Sequence, residues 1–169
     1  MITRAYEAGD RTGVRQVYAD AMSLAYAEIL SPDVLRVSLA AGWRGLLRGH
    51  SVIVAVDELD IVGFVDVASG DEPGHCYVYD LFVAPQAQGA GVGRRLMEAA
   101  HKAMDGMGAT QRFLWVLEGN ERAMAFYERE GWRRDGQRVL SSRGVHRLRY
   151  QYGRGAGASS RTPSLSPEK

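Results

Sequence analysis

Residues 81–96 have the sequence Leu81-Phe82-Val83-Ala84-Pro85-Gln86-Ala87-Gln88-Gly89-Ala90-Gly91-Val92-Gly93-Arg94-Arg95-Leu96. An apolar strand-like run ends at Pro85, and three glycines then lead into a segment with helical spacing of apolar residues. The first amides of a helix have no partner within the helix, and the helix dipole favours negative charge beside them. Because glycine lets the backbone approach an anion closely, this stretch predicts a phosphate or pyrophosphate site.

Two common phosphate-binding patterns do not fit this loop. A nucleotide P-loop needs a lysine directly after its last glycine, and none follows here. A dinucleotide fingerprint needs the spacing Gly-x-Gly-x-x-Gly, whereas these glycines stand at 89, 91 and 93. That fingerprint also follows the first strand of its domain, and this loop follows the fourth predicted strand.

The rest of the chain alternates short apolar runs with segments of helical periodicity. Strands are predicted over residues 2–5, 51–56, 61–67, 76–83, 111–117, 132–141 and 145–152. Helices are predicted over residues 10–25, 31–49, 92–104 and 120–130. The order β-α-α-β-β-β-α-β-α-β-β predicts a mixed α/β sheet with helices on its faces.

Composition indicates a soluble globular protein with one folded domain. The 169 residues are 46% hydrophobic and 24% charged, with a formal net charge of +1, so no overall field points to nucleic acid or an anionic membrane. A lone Cys76 allows no internal disulfide, and four scattered histidines show no ligand spacing, so no metal site is expected. No signal peptide or membrane span is apparent, which makes the cytoplasm the expected location.

The domain is expected to cover residues 1–152. Residues 153–169 carry three Gly, four Ser and two Pro, with Leu165 as the only large apolar residue. Such a segment buries too little surface to offset the entropy lost on ordering, so a disordered tail is predicted.

The pattern Gln88-x-x-Gly91-x-Gly93 resembles the GCN5-related N-acetyltransferase (GNAT) family. The resemblance extends to the preceding Leu81-x-Val83-x-Pro85, and to the later Asn120-x-x-Ala123-x-x-Phe126-Tyr127-x-x-x-Gly131-Trp132. It covers about residues 2–152. It implies one domain with a mostly antiparallel, twisted mixed sheet of six to seven strands and about four helices, splayed between the fourth and fifth strands.

The resemblance also implies acetyl-CoA as acyl donor. The loop amides would bind the pyrophosphate, and the strand before the loop would pair its backbone with the pantetheine arm. The cofactor-binding residues implied are Leu81, Phe82, Val83, Gln88, Gly89, Ala90, Gly91, Val92, Gly93, Arg94, Asn120, Ala123 and Phe126. Asn is also a preferred helix N-cap, so Asn120 has a second, structural explanation.

Two catalytic residues are candidates. In the family a tyrosine at the position of Tyr127 protonates the departing thiolate, although a buried tyrosine packed beside Phe126 would look the same in sequence. The general base is less well defined. Some members of the family use a glutamate on the fourth or fifth strand, and the predicted fourth strand here has none. Asp80 is the nearest carboxylate, with Glu118 and Tyr79 as alternatives, and Asp80 could equally be a solvent-facing or ion-paired strand residue.

The resemblance implies that the junction of the first two helices walls the acceptor site, and Tyr26, Glu28 and Asp33 there could suit a cationic amine. Tyr26, Glu28 and Tyr79 are the predicted acceptor-binding residues, although a solvated helix end explains the first two as well. The predicted reaction is direct attack of a primary amine, in a ternary complex, with a small molecule favoured as acceptor. A protein or peptide amine, a non-catalytic acyl-CoA-binding module and a vestigial pocket are the alternatives, and a homodimer is expected from the family.

Overall fold

Seven strands and four helices make up the part of the chain, residues 1–153, that the computed structural model describes. The strands are β1 (Ile2–Ala5), β2 (His50–Asp57), β3 (Asp60–Ser69), β4 (His75–Val83), β5 (Gln111–Leu117), β6 (Trp132–Leu140) and β7 (His146–Tyr152). The helices are α1 (Arg11–Tyr26), α2 (Pro32–Ala41), α3 (Val92–Gly106) and α4 (Glu121–Arg129). The predicted tail, beyond Gly153, lies outside the described residues.

The sheet has the order β1-β2-β3-β4-β5-β7-β6. All neighbours are antiparallel except β4 and β5, which are parallel and connected through α3. The mixed α/β fold predicted from the order of elements is confirmed.

The predicted splay between the fourth and fifth strands is also confirmed. Pairing of β4 with β5 runs only from His75↔Gln111 to Val78↔Leu114. On its other side β4 carries a bulge, because Asp66 faces Asp80 whereas Val67 faces Val78, which leaves Tyr79 as the extra residue. A bulge bends its strand and increases the local twist. The remainder of β4 therefore diverges from β5 and leaves a gap in the sheet.

The helices cover the two faces of this sheet and bury one apolar cluster on each. Helix α3 buries Leu96, Ala100 and Met104 in the first cluster, together with α4 and Trp132. Helix α1 buries Val14 and Val17 in the second, against strands β2 and β3. The two clusters fix α1, α3 and α4 around the gap.

The predicted helix over residues 31–49 is wrong in its C-terminal half. Ser31 caps the helix as expected, with its hydroxyl accepting from the Val34 amide, but the helix ends at Ala41. Gly42 adopts φ 63° and ψ −175°, a conformation essentially restricted to glycine, and the helix stops there. Trp43 belongs to no helix, and it is buried in the second apolar cluster against Phe64. The other elements agree with prediction to within two residues.

None of the helices within residues 1–153 is long and apolar enough to cross a membrane.

Candidate functional site

A cleft of about 460 Å³ lies over the gap between β4 and β5. The end of β4 and the glycine loop form one wall, β5 and α4 form another, and the end of α1 closes a third side. The predicted cofactor-binding residues that line it are Leu81, Phe82, Val83, Gln88, Gly89, Gly91, Val92, Gly93, Arg94, Asn120, Ala123 and Phe126. Tyr127 and Tyr26 line it too, whereas Ala90 does not.

The glycine loop presents its backbone to the cleft. Gly89 and Gly91 have φ values of 84° and 80°, and a Cβ added at either would meet no atom within 4 Å. Gly91 is the N-cap of α3, so the first amides of that helix open onto the same space. The Gln88 side chain donates a 3.0 Å hydrogen bond to the Val83 carbonyl, which ties the loop to the end of β4. This arrangement suits an anion held by backbone amides.

Gly93 has a different role from the two glycines before it. A Cβ at this position would lie 3.2 Å from Cζ of Phe126. A larger residue here would require the Phe126 ring to move by a few tenths of an ångström, so glycine favours the close approach of α3 to α4.

Cationic side chains surround the mouth of the cleft, and sequence reasoning missed two of them. Arg122 and Arg129 line the cleft with Arg94, and Arg94 also forms an ion pair of 3.5 Å with Glu130. The missed pair stands seven residues apart on α4, a spacing that places both on one face of a helix. Three guanidinium groups beside a helix N-terminus favour an anionic ligand.

Tyr127 lies at the inner end of the cleft with only 8% of its surface exposed. Its ring packs against Phe126, Trp132 and Tyr150 at centroid distances of 5.3, 6.3 and 6.5 Å. Burial, reinforced by Tyr26 and Asp80, raises the pKa of Tyr127 well above its ordinary value. Because of this raised pKa the phenol is protonated at neutral pH, and it can donate into the cleft that Tyr127 lines.

Asn120 caps α4, since its Oδ1 accepts a 3.2 Å hydrogen bond from the Ala123 amide. The cap occupies the oxygen of the side chain, and the same side chain lies near the Tyr26 hydroxyl, where hydrogen bonding opposes part of the rise that burial causes in the pKa of Tyr26.

Asp80 does not line the cleft. It lies on β4, partly accessible to solvent, at the point where the strand leaves β5. Burial of its carboxyl, and then the nearby Asp66, raise the pKa of Asp80 to about 6, while Arg143 and His50 act in the opposite direction. A carboxyl with this pKa is ionised at neutral pH yet basic enough to accept a proton.

Sequence reasoning missed the two residues behind Asp80. The Asp66 carboxylate lies 2.9 and 3.0 Å from Nδ1 of His50. The available signal was an aspartate inside the apolar strand Ile61–Val67, where a carboxylate is costly to bury without a partner.

The predicted acceptor-binding residues are not brought to one place. Tyr26 lines the cleft, whereas Tyr79, 52% exposed, lines a second cavity of about 370 Å³ with Tyr77 and Trp115. Trp115 lines both cavities, so they adjoin at the gap between β4 and β5. Glu28 is exposed in the turn after α1 and lines neither cavity.

The remaining acidic candidates are held elsewhere. Asp33 is exposed beside Arg36 at the start of α2. Glu118 forms a 2.7 Å ion pair with Arg138, which lowers the pKa of Glu118. Within residues 1–153, no three His, Cys, Asp or Glu side chains lie close enough together to hold a metal ion.

The chain was compared with families and proteins of known identity. The model of the acetyltransferase (GNAT) family matches residues 14–132. A mycothiol acetyltransferase of Kocuria rhizophila is 37% identical over 92 residues, which are 52% of this chain and 30% of that protein. A mycothiol acetyltransferase of Rhodococcus jostii is 40% identical over 86 residues, covering 47% of this chain and 28% of that protein. The chain thus matches less than a third of the length of these relatives.

Solved structures share the fold at low sequence identity. The PaiA N-acetyltransferase of Thermoplasma acidophilum, in complex with coenzyme A, aligns over 90% of this chain and 100% of its own. Its TM-score is 0.68 and its identity 16%. An aminoglycoside 6'-N-acetyltransferase complexed with coenzyme A aligns over 89% of this chain and 96% of its own, with a TM-score of 0.65 at 15% identity.

Proposed function

This chain belongs to the acetyltransferase (GNAT) family, and on that basis we propose that it transfers the acetyl group of acetyl-CoA to a primary amine of a small molecule. The amine would attack directly, with both substrates bound at once. The observation that carries the proposal is the cleft over the sheet gap, which joins a helix N-terminus, an unpaired strand edge and a buried tyrosine hydroxyl.

The residues of the cleft fit acetyl-CoA as a ligand. The open backbone at Gly89 and Gly91, with the first amides of α3, would hold the pyrophosphate, and Arg94, Arg122 and Arg129 would balance the phosphate charges. Beyond Val78 one edge of β4 has no β5 partner, so its backbone can pair with an extended amide-bearing chain. When bound there, acetyl-CoA supplies an activated acetyl thioester.

Tyr127 would act as the general acid. Because its pKa is raised, the phenol keeps its proton at every working pH, and it can donate that proton only where a strongly basic atom develops beside it. The sequence leaves open whether Tyr127 acts in chemistry or only in packing, and its place in the cleft wall supports the chemical role.

Asp80 would act as the general base. An ammonium acceptor must lose a proton before it attacks, and a carboxylate with a pKa of about 6 can take that proton at neutral pH. Asp80 lines neither cavity, so the acceptor amine would have to reach it at the gap, past the exposed Tyr79. The exposed ring of Tyr79 suits a cationic amine, whereas the ring of Trp115 already carries the Arg147 guanidinium at 4.6 Å.

A small molecule is favoured over a protein as acceptor because the curated relatives are named for one, mycothiol. The cytoplasmic location and the homodimer stay predictions, to be tested by cell fractionation and light scattering.

Isothermal titration with acetyl-CoA, using ATP and NADH as controls, tests the donor. Selective binding of acetyl-CoA is the expected result, and a folded protein that binds none of the three would refute the proposal. A thiol-release assay over small amines, aminosugars, peptide N-termini and lysine peptides then tests the acceptor. Release with peptides alone would replace the small molecule by a protein amine, and binding without release across the panel would indicate a non-catalytic acyl-CoA-binding module.

A further inference from the structure

A buried histidine–aspartate pair lies one strand away from the proposed base, and the proposed reaction leaves it without a role. His50 on β2 contacts both carboxylate oxygens of Asp66 on β3, at 2.9 and 3.0 Å from Nδ1. Asp66 is only 3% exposed, and the His50 side chain is 14% exposed. Replacing a buried charged or polar pair by well-packed apolar residues is often neutral or stabilising. Stability alone therefore does not explain why this pair is buried here.

The pair is aimed at Asp80 by the register of the sheet. Asp66 and Asp80 are directly opposite each other on β3 and β4, so their side chains project from the same face. Side chains at such positions have Cβ atoms about 4.5–5.5 Å apart. The His50 ring also packs against Tyr79, the bulged residue, with ring centroids 4.8 Å apart. The pair therefore lies at the point where β4 departs from β5.

We propose that His50 and Asp66 are positioning residues for Asp80, with Asp66 favouring proton uptake by Asp80 and His50 limiting how far that effect goes. Two carboxylates this close resist being ionised together. His50 is bonded to the Asp66 carboxylate and lowers the pKa of Asp80, which opposes part of the effect of Asp66. Asp80 therefore still ionises near neutral pH. The catalytic role of the pair rests on the proposed function, in which Asp80 is the base. The effect of His50 and Asp66 on the pKa of Asp80 does not depend on that function.

The other groups around Asp80 act in a fixed way. Arg143, in the turn between β6 and β7, is a permanent cation that lowers the pKa of Asp80. Tyr18 and Tyr26 on α1 and Tyr127 on α4 feel the charge of Asp80, and burial raises the pKa of each, so they stay neutral. Substitutions of Asp66 and of His50 should therefore shift the pKa of Asp80 in opposite directions, because Asp66 raises that pKa and His50 lowers it.

The test is a carbon-detected NMR titration of aspartate carboxyl groups in the full chain, with the Asp80 signal assigned by its loss in Asp80→Asn. Asp66→Asn removes the neighbouring anion and should lower the Asp80 midpoint by roughly one pH unit. His50→Gln keeps a donor to Asp66 but removes the side chain that lowers the pKa of Asp80, and it should raise the midpoint. Asp60→Asn makes the same charge change at the exposed turn of the β2–β3 hairpin, and it should leave the midpoint unchanged.

Opposite shifts in the two variants support the inference. Shifts in the same direction, or midpoints within about 0.2 unit of the parent, overturn it. The acid limb of kcat/KM, measured with whichever amine the screen yields, gives the second readout. If the NMR midpoints move and the limb does not, the positioning pair stands as an electrostatic device and Asp80 is not the base.

Discussion

Replacing Gly91 by leucine separates the binding role of the loop from its conformational demand. Gly91 has φ 80° and an added Cβ would meet no atom within 4 Å, so the side chain would project into open cleft space. A non-glycine residue in this left-handed conformation costs about 1–2 kcal/mol, which lowers Tm by roughly 2–8 °C in a domain of this size. The same side chain should also exclude a pyrophosphate, with at least a tenfold rise in Kd for acetyl-CoA, about 1.4 kcal/mol.

Gly108 offers a matched control for this experiment. It follows α3 with φ 78°, and a Cβ there also meets nothing within 4 Å, but it does not line the cleft. Thermal melts of both leucine variants should therefore fall by similar amounts. Titration calorimetry should show weaker acetyl-CoA binding for the Gly91 variant alone. If both variants bind like the parent, the glycine loop is not the phosphate cradle, and equal weakening in both would assign the loss to strain.

Three further predictions concern catalysis and pH. Tyr127→Phe should lower kcat about 100-fold while Kd for acetyl-CoA stays within about threefold, and equal turnover would remove Tyr127 from the mechanism. The folded pKa of Asp80 is raised to about 6, so its ionised, active form is lost as pH falls through 6, and kcat/KM should drop tenfold per pH unit below that value. Asp80→Asn should lower the plateau of kcat/KM and abolish this acid limb. An unchanged limb in the variant would contradict the assignment. For His101, burial and the Arg112 guanidinium lower the folded pKa from 6.5 to about 4, and a group depressed in this way loses its contribution to stability as pH falls from 6.5 to 4. Urea unfolding at pH 7.5 and 4.5 should then show the parent losing about 1 kcal/mol more than His101→Gln, since solvent screens part of the effect at this half-buried site, and parallel losses would refute the assignment.

The elements that the sequence predicts well are those with local signals. The β2–β3 hairpin is marked by a polar turn at residues 57–60 between two apolar runs, and α4 by Asn120 as its cap. The glycine loop is equally local, because strand, turn and helix start are contiguous. Each of these depends on interactions within a few residues, which composition and spacing record directly.

The features that the sequence could not give depend on distant partners. The apolar spacing continues through Trp43 and beyond, but one glycine of positive φ ends α2 and lets Trp43 reach the core instead. Arginines such as those on the last two strands are typical of edge strands, yet β7 lies between β5 and β6. There Arg147 stacks over Trp115 at 4.6 Å, so its charge covers an aromatic ring rather than guarding an edge.

The His50–Asp66 pair beside Asp80, which the sequence did not reveal, also depends on partners that are distant in the chain. Pairing of His50 with Asp66 spans 16 residues and requires the β2–β3 register, and its approach to Asp80 requires the bulge at Tyr79 as well. A single sequence contains these residues but not their juxtaposition.

Four residue pairs between β4 and β5 join two halves of the sheet that are otherwise built from antiparallel neighbours. The first of these pairs joins His75 to Gln111, across the whole of α3, whereas β2 and β3 meet through a tight turn. Closing a long loop costs more entropy than closing a short one, so we expect this seam to form after the two halves during folding. The β4–β5 pairing should also be the first strand pairing to separate during unfolding. A molecule bound across the gap touches both halves, and it would therefore slow the parting of the seam and lengthen the lifetime of the folded state.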